Sequence, residues 1–272
     1  MVAAAKLRRA QASVLAARPY ARKMLEILQH LSSNVDTGPA DLFATRPLAR
    51  VAVVVVTSDR GMCGAFNSNL LKAAEHHIVS TYAERPGPSR VTVFCVGRKA
   101  VEYFNKRKYA VAGRYAGLFN DLVFARAKTV VKDLLEGYRR GDYDRVEIAY
   151  NEFKSVSQQR IVVEQFLPIP PDTFTESGRK ASAPGAYLYE PSRSAILSAL
   201  IPKHLDFQLW RVLLESNAAE QGARMAAMEN ATENAEELIS TLQLQYNKAR
   251  QASITRELLE IVSGAEALTQ MD

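Results

Sequence analysis

The stretch Thr57-Ser58-Asp59-Arg60-Gly61-Met62-Cys63-Gly64 gathers the side chains of this 272-residue chain best suited to chemistry. It sets hydroxyls, a carboxylate, a guanidinium and a thiol among glycines, between a β-branched run and a helical pattern. A nucleotide-binding fold places its phosphate loop at such a point, where backbone N–H groups and a helix N-terminus meet an anion. The spacing fits neither G-x-G-x-x-G nor the Walker pattern, and no Gly-Lys-Ser/Thr follows. Gly61 and Gly64 are better read as residues that let the backbone turn sharply from strand to helix. A nucleotide-binding α/β enzyme using the Ser58-Gly64 turn is the alternative reading. Cys63 has the position of a thiolate nucleophile at a helix N-terminus. No histidine lies in an obvious partnering place, which favours a small buried apolar residue instead.

The remaining candidates carry less. His30, His76, His77 and His204 are scattered too widely for a metal cluster, and adjacent His76 and His77 on a helix point in different directions. Cys63 and Cys95 are too few for a disulfide scaffold and lack zinc-site spacing. Glu236 and Glu237 fit a solvated helix face. The basic segment from Lys6 to Lys23 could meet nucleic acid, but only Tyr20 interleaves an aromatic, and a heptad pattern already explains it. No metal, cofactor, catalytic group or nucleic-acid partner is expected. The composition, 47% hydrophobic and 24% charged with a net charge of +6, is that of an ordinary globular protein. Apolar runs such as Val51 to Val56 fall far short of the ~20 residues that span a bilayer. Arg8, Arg9 and Arg18 interrupt any signal-peptide pattern.

The elements that must position the turn fall into three parts. Residues 1–35 form a helix whose apolar residues Leu7, Ala10, Val14, Ala17, Ala21, Met24, Leu28 and Leu31 step by three and four, the seam of a coiled coil. Pro19 lies on its outer face. Residues 50–190 alternate strands and helices. Strands are expected at Val51 to Thr57, Val91 to Val96, Val146 to Tyr150 and Ile161 to Leu167. Helices are expected at Asn67 to Ala83, Lys99 to Arg107 and Leu118 to Arg140, giving a Rossmann-like, mainly parallel sheet. The Ser-, Thr-, Gly- and Pro-rich segment from Pro171 to Gly185 is expected as a mobile loop. Residues 192–272 form one long helix with a second seam at Met228, Ala231, Ala235, Leu238, Leu242, Gln245, Ala249 and Ala252. About 65 such residues would extend roughly 100 Å. The simplest partner for that seam is the N-terminal helix, in a long antiparallel coiled coil. Charge agrees modestly: six bases face one acid between Lys6 and Glu26, and ten acids face four bases between Glu215 and Asp272. Exposed pairs of this kind add only ~0.2–1 kcal/mol each.

Four segments together resemble one family. Met1 to Gln11 (MVAAAKLRRAQ) with Ala17 to Ala21 (ARPYA) is similar to the N-terminal helix of the gamma subunits of F-type ATP synthases. Thr57 to Gly64 is similar to their strand-turn signature, and Tyr187-Leu188-Tyr189-Glu190-Pro191 to their foot segment. Tyr246 to Thr255 (YNKARQASIT), then Glu257 and Ile261 to Ala265, resembles their C-terminal signature. The resemblance implies the central rotor shaft of the enzyme. Its coiled coil would enter the cavity of the alpha/beta catalytic hexamer. Its body would stand on the membrane-embedded c ring and bind epsilon/delta-type stalk subunits. ATP would be made on beta, at the bacterial cytoplasmic face or the matrix side of the mitochondrial inner membrane. Arg250 and Gln251 would contact a loop of beta, and Tyr187, Tyr189 and Glu190 the polar loops of the ring. The family carries a further segment before the MVAAA motif, so the helix beyond about Leu244 is expected to lack a neighbour from this sequence. The dithiol insertion of some photosynthetic members is absent, since Cys63 and Cys95 fall in the body.

Overall fold

The computed structural model describes residues 2–32, 40–83, 90–156, 158–170, 173 and 190–269. Two compact units are present, Met1–Ala226 and Ala227–Asp272. The first unit is built around β1 (Arg50–Val56), a run of valines in which every residue after Arg50 is buried. A strand so apolar on both faces belongs at the centre of a sheet covered on both sides. That is where it sits. β2 (Arg90–Val96), β3 (Ala110–Tyr115), β4 (Arg145–Phe153) and β5 (Gln159–Leu167) complete the order β3-β2-β1-β4-β5. The first four strands are parallel and β5 is antiparallel to β4.

The period of two sorts β1 to opposite faces. Val51, Val53 and Val55 pack with Leu70, Leu71 and Ala74 of α3 (Phe66–Ile78) and with Ala100 and Phe104 of α4 (Arg98–Lys106). Ala52, Val54 and Val56 share the other core with Val130, Val131 and Leu134 of α5 (Phe124–Arg140). That core also takes Met24, Leu28 and Leu31 of α1 (Val2–Ser32) and Leu42 of the short α2 (Ala40–Phe43). The long helix α6 (Arg193–Thr269) contributes Leu197, Ile201, Leu205, Leu209 and Leu213 to it. Spacing by four places these on one slowly turning stripe. Each fully buried leucine stabilises by about 1.5–3 kcal/mol. α1 runs antiparallel to this part of α6: Ala10 and Val14 pack with Leu214 and Ala218, and Tyr20 lies 4.9 Å from Phe207 between ring centroids. The seam positions Leu7, Val14, Met24 and Leu28 are all buried.

The second unit is helical from Ala227 to Thr269. Met228, Leu238 and Leu242 are exposed by 40%, 58% and 52%, and Ala235 is exposed as well. The stretch of the expected seam at Met228, Ala235, Leu238 and Leu242 is thus uncovered within a unit made of one helix. α1 and the first part of α6 belong to the same compact unit as the sheet.

Other departures are local. β3 was not expected. Helix α5 begins at Phe124 after a 3-10 turn at Leu118–Asn120, not at Leu118. The helix after the 58–64 turn gives way at Ile78 to a π-helical turn, Val79–Ala83. Of the segment expected as a loop, only Thr173 is among the described residues. Gly97, between β2 and α4, has φ +92, and a Cβ there would collide with the Thr57 carbonyl. Only glycine fits so close an approach in that conformation.

Candidate functional site

The turn after β1 faces inward. Asp59, 6% exposed, accepts hydrogen bonds at Oδ1 from the backbone N–H of Arg98 (3.0 Å) and Gly117 (2.6 Å), and at Oδ2 from Phe119 (3.0 Å). Thr57 Oγ1 accepts from the N–H of Ala100 at 2.9 Å and donates to the Val96 carbonyl at 3.2 Å. Two donors of the first turn of α4 are thereby used, and the negative charge that suits a helix N-terminus is the chain's own. Asn67 closes the turn: its Oδ1 accepts from the Ser58 N–H at 3.0 Å, and its Nδ2 donates to Ser58 Oγ at 2.8 Å. A phosphate brought to the Arg98, Gly117 and Phe119 donors would have to displace a buried carboxylate. Asp59 thus fills, from within the chain, the donors that an anion at this end of the sheet would meet. Cys63 is 1% exposed, and burial pushes its thiol up, away from the thiolate a nucleophile needs. Burial likewise pushes Cys95 up to about 12.

What the turn holds is α6. Cys63 and Phe66 pack with Ala219 of that helix. Ser216 Oγ donates to the Val56 carbonyl at 3.4 Å, and Arg224 Nη2 to the Gly61 carbonyl at 3.3 Å. Arg224 Nη1 lies 2.7 Å from Glu220, whose carboxyl is raised by burial. Earlier in the same helix, Arg211 reaches into the sheet. Its Nη2 meets Glu164 of β5 at 2.9 Å, while its Nη1 meets Glu215 and Tyr150 Oη, each at 3.3 Å. Burial raises Glu215, the opposing effect of Arg211 being smaller, and pushes Tyr150 up to about 12. His204, in the same stretch, is held down at about 4 by burial and then by Arg211. Apart from His204, weighed only as one of four scattered histidines, these groups are not singled out by the sequence. The spacings Arg211–Glu215 and Glu220–Arg224, four residues apart, were the only local signal.

The expected contact residues divide unevenly. Arg250 and Gln251 are exposed on the helix of the second unit. Glu229, Glu233, Glu236 and Glu237 are exposed before them, and Ile254, Leu258, Leu259, Ile261 and Val262 after them are each at least half exposed. Glu190 is exposed, two residues before Ser192, whose Oγ caps the start of α6 by accepting from the Ala195 N–H at 3.2 Å. Tyr187 and Tyr189 lie outside the described residues. Among the described residues no group of His, Cys, Asp and Glu is arranged to hold a metal ion, and no helix is long and apolar enough to cross a membrane.

Comparison with known proteins gives one answer. A family model described as ATP synthase matches residues 1–268. The ATP synthase gamma chain of Chlorobaculum tepidum is 52% identical over 271 residues, which is 99% of this chain and 91% of that protein. The gamma chain of Salinibacter ruber is 48% identical over 281 residues, again 99% and 91%. Among solved structures, a chain of the Tetrahymena thermophila mitochondrial ATP synthase central stalk and c-ring superposes with TM-score 0.59. It is 21% identical, and the match covers 85% of this chain and 96% of that one, a likeness of fold. With half its residues identical to such relatives across nearly its whole length, the chain belongs to the gamma-chain family of ATP synthases.

Proposed function

We propose that this chain is the central-stalk rotor of an F-type, proton-translocating ATP synthase. One observation carries the reading beyond the family. From 229 to 265 every residue is exposed, including Leu238, Ile239, Leu242, Leu244, Ile254, Leu258, Leu259, Ile261 and Val262. A helix with so many exposed large apolar side chains marks a surface for other proteins. The partners are the alpha and beta subunits of the catalytic hexamer. Arg250 and Gln251 face a loop of beta, where the planar guanidinium suits paired hydrogen bonds to a carboxylate.

At the other end, Tyr187, Tyr189 and Glu190 meet the polar loops of the membrane c ring, beside an epsilon/delta-type stalk subunit. Proton flow turns the ring and the α/β body, and α6 carries that rotation to beta, which performs the nucleotide chemistry. The complex sits on an energy-transducing membrane, at the bacterial cytoplasmic face or the mitochondrial matrix side, with this chain peripheral to it. A probe fixed to the α/β body of the assembled complex should turn in one direction while ATP is hydrolysed. Steady hydrolysis with a stationary probe would remove the rotor reading.

A further inference from the structure

We infer that Arg211 locks α6 against turning about its own axis on the sheet, which makes it a positioning residue for transmitting torque; this rests on the rotor reading above. The first unit holds α6 by two kinds of contact. Leu197, Ile201, Leu205, Leu209 and Leu213 are buried, but apolar contact is non-directional. It resists pulling the helix away more than twisting it, because a rotated stripe still meets apolar neighbours. Hydrogen bonds are directional, and charge-assisted ones are roughly twice as strong as neutral ones.

Ser216 to the Val56 carbonyl and Arg224 to the Gly61 carbonyl are single bonds at 3.4 and 3.3 Å. Arg211 is different. Its two terminal nitrogens reach two strands, Glu164 on β5 at 2.9 Å and Tyr150 on β4 at 3.3 Å. The guanidinium is thus spread across the helix-to-sheet boundary in one plane. Glu215, its third partner, sits on α6 itself. That pair turns with the helix and transmits nothing across the boundary. Twisting α6 would stretch the Arg211–Glu164 bond first, leaving a part-buried carboxylate without its cation, a costly state.

The test uses the assembled, membrane-bound complex with a probe on the α/β body, stalled at one catalytic state, and reads the variance of the probe's angle. Arg211→Lys keeps the charge but not the two-pronged geometry, and Glu164→Gln keeps the shape but not the charge. Each is expected to raise the variance about twofold, with ATP hydrolysis by the detached head unchanged. The free Arg211→Lys chain should unfold close to the wild-type temperature, which a merely structural role would tie to unchanged stiffness. Glu215→Gln, within the helix, should leave the variance near wild type. If Arg211→Lys or Glu164→Gln fails to assemble, the other decides. Wild-type variance in both, or in the one that assembles, overturns the assignment. Failure of the rotor reading would look different, since even the wild-type probe would not turn.

Discussion

Two stretches of α6 use the same residue types and meet opposite fates. Between 197 and 213, leucine or isoleucine recurs every fourth residue and is almost completely buried. Between 238 and 262, Leu238, Leu242, Leu258 and Val262 keep the same kind of spacing and are each more than half exposed. Helix periodicity defines a face; whether the face is covered depends on what else the chain brings to it. In the first unit the sheet, α1 and α5 supply that cover. In the second, nothing within the unit does, so the same pattern stays exposed. The difference also separates two ways a residue matters, by holding the fold or by meeting a partner.

The sharpest way to break this contrast is a matched pair of truncations. Leu209→Ala should destabilise the free chain by about 2–5 kcal/mol, the usual cost of deleting a buried leucine. Leu242→Ala should change it by less than about 0.5 kcal/mol, since surface positions seldom exceed that. Denaturant midpoints of the two variants check both values. Equal losses would mean that the second stretch is covered in the free chain after all. In the assembled complex the order should change, with Leu242→Ala weakening assembly measured by co-purification with the larger subunits.

The turn after β1 comes next in size. Asp59→Asn keeps the volume of the side chain but turns an amide NH2 towards backbone donors that now find an oxygen. One of the three bonds from Arg98, Gly117 and Phe119 must be lost, and a buried donor left unpaired costs about 1–3 kcal/mol. Hydrogen exchange should accelerate at Gly117 and Phe119 first. Unchanged protection at both would show that Asp59 does not organise the turn.

A smaller effect is expected with pH. His204 has a folded pKa of about 4 against its ordinary 6.5, so between these values the unfolded chain binds the proton and the folded chain does not. Stability in that window therefore rises with pH, and is lost as pH falls from about 6.5 towards 4. Glu215 and Glu220, raised by burial, oppose this trend, because they are more protonated when folded. His204→Gln should remove about one proton of uptake on unfolding across the window. Stability measured against pH for the two chains gives the result directly. Parallel curves would mean that His204 ionises in the folded state.

The sheet was legible from sequence wherever a strand was a β-branched run. β1, β2, β4 and β5 announce themselves in this way, and β5 closes at Pro168. β3 does not: Ala-Val-Ala-Gly-Arg-Tyr alternates poorly and contains Gly113, where a Cβ would collide with the ring of Phe94. A glycine demanded by a neighbour on another strand reads, in one dimension, as a break. The same limit hid the start of α5, since Gly117 adopts φ +78 and gives its N–H to Asp59, 58 residues earlier. Of the Arg211 cluster, Glu215 at four residues was visible in principle, whereas Glu164 lies 47 residues away. The seam at Leu7, Val14, Met24 and Leu28 gave the buried face of α1 but not the part of α6 it packs against. Arg250, Gln251, Tyr187, Tyr189 and Glu190 came from resemblance alone, because an exposed side chain waiting for a partner leaves no periodic trace.

Arg250 gives the smallest expected effect on the free chain and the most specific one on the complex. It is exposed, on a helix whose neighbouring Ala249 and Ala252 leave room for another chain to approach. Arg250→Ala removes no buried contact, so the unfolding temperature of the free chain should not move. Inside the hexamer the same guanidinium would lose much of its water. A carboxylate of beta within reach would then form a charge-assisted pair worth more than a surface ion pair. In the proposed rotor role each contact made must also be broken, so that pair would act on the barrier between rotational states rather than on resting affinity. Steady-state ATP hydrolysis by the complex should fall in Arg250→Ala, with longer dwells at one angle of the rotation. Arg250→Lys should restore only part of the rate, since an ammonium cannot present two parallel N–H groups. Dwell times and torque unchanged in a fully assembled Arg250→Ala complex would place the beta contact elsewhere along the exposed helix.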